Sequence, residues 1–61
     1  MLNIELIESE RIKQGISKYR MSKKLNKSRQ AYYDIIKRKS TTLKTINKIA
    51  DILHIDVRSI I

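Results

Sequence analysis

Two serines eleven residues apart, Ser17 and Ser28, constrain this chain more than any other feature. A serine hydroxyl accepts a hydrogen bond from an otherwise unpaired backbone N–H at the start of a helix. Two starts at this spacing leave room for one two-turn helix and a tight turn. Asn26 lies between them, the non-glycine residue that best tolerates the left-handed conformation such a turn needs. The apolar residues agree with this reading. Met21 and Leu25 are four apart and share a face. Tyr32, Ile35 and Ile36 repeat at three and four after the second serine. Residues 17–36 are therefore predicted to form two short helices whose apolar faces meet across a turn, which is the geometry of a helix-turn-helix.

The rest of the chain extends the helical pattern. There is no proline and one glycine, Gly15, so an all-α fold is favoured. Sixty-one residues allow one small domain, 1–61, workable when the packing is helical. A first helix is predicted over 2–14, with Asn3 as its N-cap, Glu5 in the first turn, and Arg11 and Lys13 in the last. Its apolar residues make no clean stripe; Ile4 and Ile7 are the expected core pair. Gly15 should end that helix, and Ile16 should be a buried plug. The second and third helices are predicted over 17–25 and 28–37, followed by a polar loop containing Lys37, Arg38 and Lys39. Thr42 should cap a fourth helix, where Leu43, Ile46, Ile49, Ala50 and Leu53 fall on one face. Asp56 should cap a fifth, short helix over 57–61.

Charge bounds the function. The net charge is +8 and the pI about 10.1, and residues 11–48 hold thirteen basic residues and one acid, Asp34. Lys18, Arg20, Lys23, Lys24, Lys27 and Arg29 lie off the apolar faces. Phosphate is the polyanion such a surface suits. With no cysteine and one histidine, His54, disulfides and zinc-finger ligand sets are excluded. No metal or other cofactor is expected. Paired carboxylates, a nucleophile beside a base and a glycine-rich phosphate loop are all missing, so an enzyme is not expected. No apolar run approaches the roughly 18 residues that span a bilayer. The acidic N-terminus lacks the basic start of a secretory signal, so a cytoplasmic protein is expected.

Taken together, Gly15-Ile16-Ser17, Met21-Ser22, Leu25-Asn26, Ser28, Tyr32, Ile35, Thr42-Leu43, Ile46, Ile49-Ala50, Leu53 and Ile55 resemble the Cro/repressor-type (λ-repressor-like) helix-turn-helix family of bacterial and phage regulators. The resemblance runs from residue 15 to residue 55 without a gap. The sequence departs from the family pattern at several slots. Lys18 replaces the usual glutamine opening the second helix, Ser22 a small alanine, and Asn26 the turn glycine. Lys27 replaces an apolar residue, Tyr32 a buried isoleucine, Arg38 a loop glycine, and Glu10 a leucine. A buried Tyr32 must place its hydroxyl at the surface or on a partner.

The resemblance implies a five-helix, λ-repressor-like domain that binds double-stranded DNA in a sequence-specific way and regulates transcription, as a repressor. It places Arg29, Gln30 and Tyr33 on the major-groove side. Arginine can bond guanine O6 and N7 together, and glutamine adenine N6 and N7. Lys18, Lys27, Ser28, Lys37, Arg38 and Lys39 would hold phosphates and set the register; Ser28 would also cap its helix. Asp34 would serve as a local partner of Lys37 or Arg38, or accept from cytosine N4. One domain covers one half-site, so a weak homodimer on a pseudo-palindromic operator is expected, with Ile55, Val57, Ile60 and Ile61 as the candidate seam. Ile60 has a second reading, packing against the first helix. Two other functions remain open: a protein-interaction module on the same scaffold, such as an antitoxin or antirepressor, and a basic surface lying on an anionic membrane.

Overall fold

A computed structural model describes residues 2–61. They form four α-helices: α1 (Ile4–Lys13), α2 (Lys18–Lys24), α3 (Arg29–Arg38) and α4 (Leu43–Leu53). The expected fifth helix is instead a single 3-10 turn, Val57–Ser59. Asp56 does cap it, its Oδ1 accepting from the Arg58 N–H, but the N–H groups of Ser59 and Ile60 bond to carbonyls three residues back, the tighter 3-10 pattern.

Every helix start has a side-chain cap. Asn3, Ser17, Ser28 and Thr42 accept from the N–H groups of Leu6, Arg20, Ala31 and Thr45. The turns follow the chain's few permissive residues. Gly15 ends the first helical segment at φ +72°, and Asn26 turns the chain between α2 and α3 at φ +61°. Lys39 and His54 also adopt left-handed backbone, both at φ +57°, a conformation disfavoured for either residue. Lys39 is held there in part by its carbonyl, which accepts from the Leu2 N–H at 2.9 Å.

The helices pack as two pairs, α2 on α3 and α1 on α4, with the 3-10 turn closing against α4. Between the pairs lies one core of Leu2, Ile7, Met21, Leu25, Tyr32, Ile35, Ile49, Ala50, Leu53 and Ile60. The α1 pattern differs from the expected pair. Ile7 is buried and Ile4 half-buried, Leu2 is buried just before the helix, and Ile12 points to solvent. Ile16 is half-buried, not a closed plug.

The α4 face also departs from the periodic reading. Leu43, the first residue of α4, stands 66% exposed at the rim, while Thr45 is buried. Thr45 can be buried because its hydroxyl accepts from Thr42 Oγ1 at 3.0 Å. Lys37 and Arg38 belong to the last turn of α3, not to a loop, because the helix runs on until Lys39 turns left-handed. Among the described residues, no helix is long and apolar enough to cross a membrane.

Candidate nucleic-acid interface

Helix α3 presents its outer face to solvent because Tyr32 and Ile35 anchor the opposite face in the core. At 100° per residue, Gln30, Tyr33 and Lys37 point outward together, with Asp34 at one side and Arg29 at the N-terminal end. All five are exposed. The three residues expected to read bases therefore lie on one accessible face.

The residues expected to meet phosphate surround that face. Lys18 opens α2, and its Nζ lies 5.1 Å from the centre of the Tyr33 ring. A cation over an aromatic face is attracted by the ring quadrupole, so the two side chains hold each other across the α2–α3 joint. Lys18, Tyr33, Ile36 and Lys37 line one cleft there. Lys27 is half-buried in the turn. Ser28 caps α3 by accepting from Ala31 N–H at 3.1 Å, which leaves the first N–H groups of the helix directed outward. Arg38 faces a second cleft, lined also by Asp34, Ser40, Thr41 and Thr42. Lys39 is exposed at the end of α3. The set is thus spread along both sides of α3, and Lys18 and Lys37 share a cleft with Tyr33.

Among the described residues, no acid lies within ion-pair distance of a cation of α2 or α3. Among the described residues the ion pairs are Glu8–Arg11 at 2.8 Å and Asp56–Arg58 at 2.9 Å, and none involves a cation of α2 or α3. Asp34 is paired with neither Lys37 nor Arg38. Its Oδ1 accepts from Gln30 Nε2 at 3.4 Å, a long and weak bond. Tyr19 and Lys23 form a further cation–aromatic pair on the outer side of α2, at 5.4 Å.

The four apolar residues of the C-terminal end divide. Ile60 is fully buried in the protomer and accessible to no partner, because its carbonyl takes the Asn3 N–H at 2.8 Å and draws the tail onto the start of α1. Ile55 and Val57 are half-buried against the core. Ile61 stands 61% exposed.

Sequence reasoning did not assign to the site Ile36, which lines the Lys18 cleft, or Ser40 and Thr41, which line the cleft of Arg38. Ile36 stands three residues after Tyr33 on α3, so helical spacing places it there; the approach of Lys18 arises from how α2 docks on α3, and no spacing encodes it. Among the described residues there is no group of three His, Asp or Glu side chains that could hold a metal ion.

A family profile described as helix-turn-helix matches residues 7–60. Comparison with curated proteins and with solved structures gives no match.

Proposed function

The chain belongs to the Cro/repressor-type helix-turn-helix family, a family of DNA-binding transcription regulators, and from that premise we propose that it represses transcription by binding a specific double-stranded operator. Helix α3 lies in the major groove. Arg29 and Gln30 read base edges through paired hydrogen bonds, and Tyr33 reads beside them. Lys18, Lys27, Ser28, Lys37, Arg38 and Lys39 hold the phosphates on either side, with the N-terminus of α3 behind Ser28 accepting one of them. Two copies occupy a pseudo-palindromic site, one half-site each. The protein then blocks a promoter by occupying it.

The observation that carries this reading is the face of α3: Arg29, Gln30 and Tyr33 exposed together, flanked by cations that form no ion pair with an acid among the described residues. Selection from a random duplex library, followed by titration of the enriched sequence at several salt concentrations, tests it. A preferred sequence and a steep loss of affinity with salt are expected. A partner protein bound with no preference among duplexes would replace this reading with an antitoxin- or antirepressor-like role.

A further inference from the structure

The polar contacts of the interior converge on one carboxylate, Glu8 of α1. Its Oε2 accepts from the Tyr32 hydroxyl at 2.9 Å and from Arg11 Nε at 2.8 Å. Its Oε1 accepts from Arg11 Nη2 at 3.2 Å. The remaining guanidinium nitrogen, Nη1, donates to the Ile16 carbonyl at 2.7 Å. Ile16 directly precedes Ser17, the cap of α2, and Tyr32 sits in the first half of α3. Two linked side chains of α1 thereby hold the rest of the unit, Arg11 the entry of α2 and Glu8 the buried face of α3.

This matters because the helices pack as two pairs. Among the described residues, no other side-chain hydrogen bond joins α1 to α2 or α3. The apolar contacts across that joint are non-directional. Bonds to charged groups are short and directional. Net stability is a weak reason to keep such a group, since removing a charge pair from water offsets most of its attraction. Burial alone would raise the Glu8 carboxyl, but the bonds from Arg11 and Tyr32 outweigh it and leave it below its ordinary value, so the group is charged at neutral pH.

We propose that Glu8 is a positioning residue for DNA recognition: by holding Arg11 and Tyr32 it fixes how the α2–α3 unit stands on α1 and α4. It thereby sets the orientation in which Arg29, Gln30 and Tyr33 meet the bases. Tyr33 is the neighbour of Tyr32, so a rotation of α3 about its core contacts moves the reading face directly. The proposal rests on the DNA-binding reading above.

The test uses Tyr32→Phe, which removes one hydroxyl, and Glu8→Gln and Glu8→Ala. Ile52→Ala, a half-buried α4 position off the network, serves as a control for lost stability. Each is titrated against the duplex that the wild type enriches from a random library and against a scrambled duplex. The temperature is one at which circular dichroism shows every variant folded. Tyr32→Phe and Glu8→Ala should lose about tenfold on the enriched duplex, the scale of one hydrogen bond to a charged group, with unchanged affinity and salt slope on the scrambled one. Glu8→Gln, which still accepts from Tyr32, should lose less. Ile52→Ala should keep the wild-type ratio at a comparable loss of melting temperature. Network variants that keep the wild-type ratio would overturn the proposal, as would an equal fall in Ile52→Ala. A wild type without preference among duplexes would instead remove the DNA-binding reading on which the proposal stands.

Discussion

Replacing Arg29 or Gln30 with alanine should remove sequence preference without removing the fold. Both residues are exposed, and neither contributes to the core. Among the described residues, the Arg29 guanidinium makes no side-chain hydrogen bond, so its donors are available to a base. Gln30 gives one long bond to Asp34 at 3.4 Å, too weak for its loss to matter to stability. Each substitution should therefore shift the melting temperature little, as surface changes do. On DNA the effect is larger, because a bidentate pair is worth about 1–3 kcal/mol of discrimination, or roughly 5- to 150-fold. The assay is a titration against the selected operator and against duplexes with one changed base pair. Arg29→Ala should flatten preference at one position and Gln30→Ala at a neighbouring one. If both variants discriminate as the wild type does, α3 is not the reading helix.

The other substitutions separate phosphate binding, core packing and acid response. Lys39→Ala should weaken binding about equally on specific and random duplex and reduce the salt slope by about 1; an unchanged slope would place Lys39 outside the phosphate contacts. Ile49→Ala empties a fully buried site on α4. It should cost about 2–5 kcal/mol, much of the roughly 3–9 kcal/mol a chain of this length holds, whereas Leu43→Ala should stay within about 0.5 kcal/mol; thermal melts of the pair check the orientation of α4. Glu8 has a lowered folded value, so its contribution to stability is fully present above the ordinary value of 4.5 and is lost as the pH falls through the folded one. Melts between neutral and acid pH should therefore be flatter for Glu8→Gln than for the wild type, and parallel curves would show that Glu8 carries no such linkage.

The fold was legible where its causes are local. Caps at Asn3, Ser17, Ser28, Thr42 and Asp56 depend on residues two or three away, and all five form. Gly15 and Asn26 turn the chain because their own chemistry permits it. The left-handed Lys39 and His54 gave no such signal. Lys39 is held from the other end of the chain by Leu2. Helix α1 looked irregular because the position four residues after Ile7 is Arg11, whose aliphatic stem can pack like an apolar residue while its head is satisfied by Glu8 and Ile16. The candidate site divides in the same way. Exposure of Arg29, Gln30 and Tyr33 follows from the wheel of α3, once Tyr32 and Ile35 are known to face inward. The Lys18–Tyr33 pair and the Tyr32–Glu8 bond join residues 15 and 24 apart in sequence. Only the docked helices bring them together.

Assembly turns on a balance between a small apolar surface and a large charge. A standard protein interface covers about 800 Å² on each partner, close to a fifth of this protein's 4254 Å². With Ile60 buried and Ile55 and Val57 half-buried, Ile61 and the nearby groove of Leu2, Thr41 and Ile46 offer far less apolar area than that. Two copies also bring +8 each, and like charges oppose their meeting. Bound phosphates neutralise that repulsion, so a weak dimer is expected to form mainly on DNA. Salt should then act in opposite directions. Raising it shortens the screening length, about 10 Å at 0.1 M, and should strengthen self-association in free solution while weakening DNA binding. Ile61→Asp should lower operator affinity and cooperativity with the melting temperature unchanged. Ile60→Asp should unfold the protein, because it puts a charge into the core. Sedimentation across a salt series and operator titration of these variants measure both effects. Full operator affinity in a strictly one-to-one complex would end the dimer proposal.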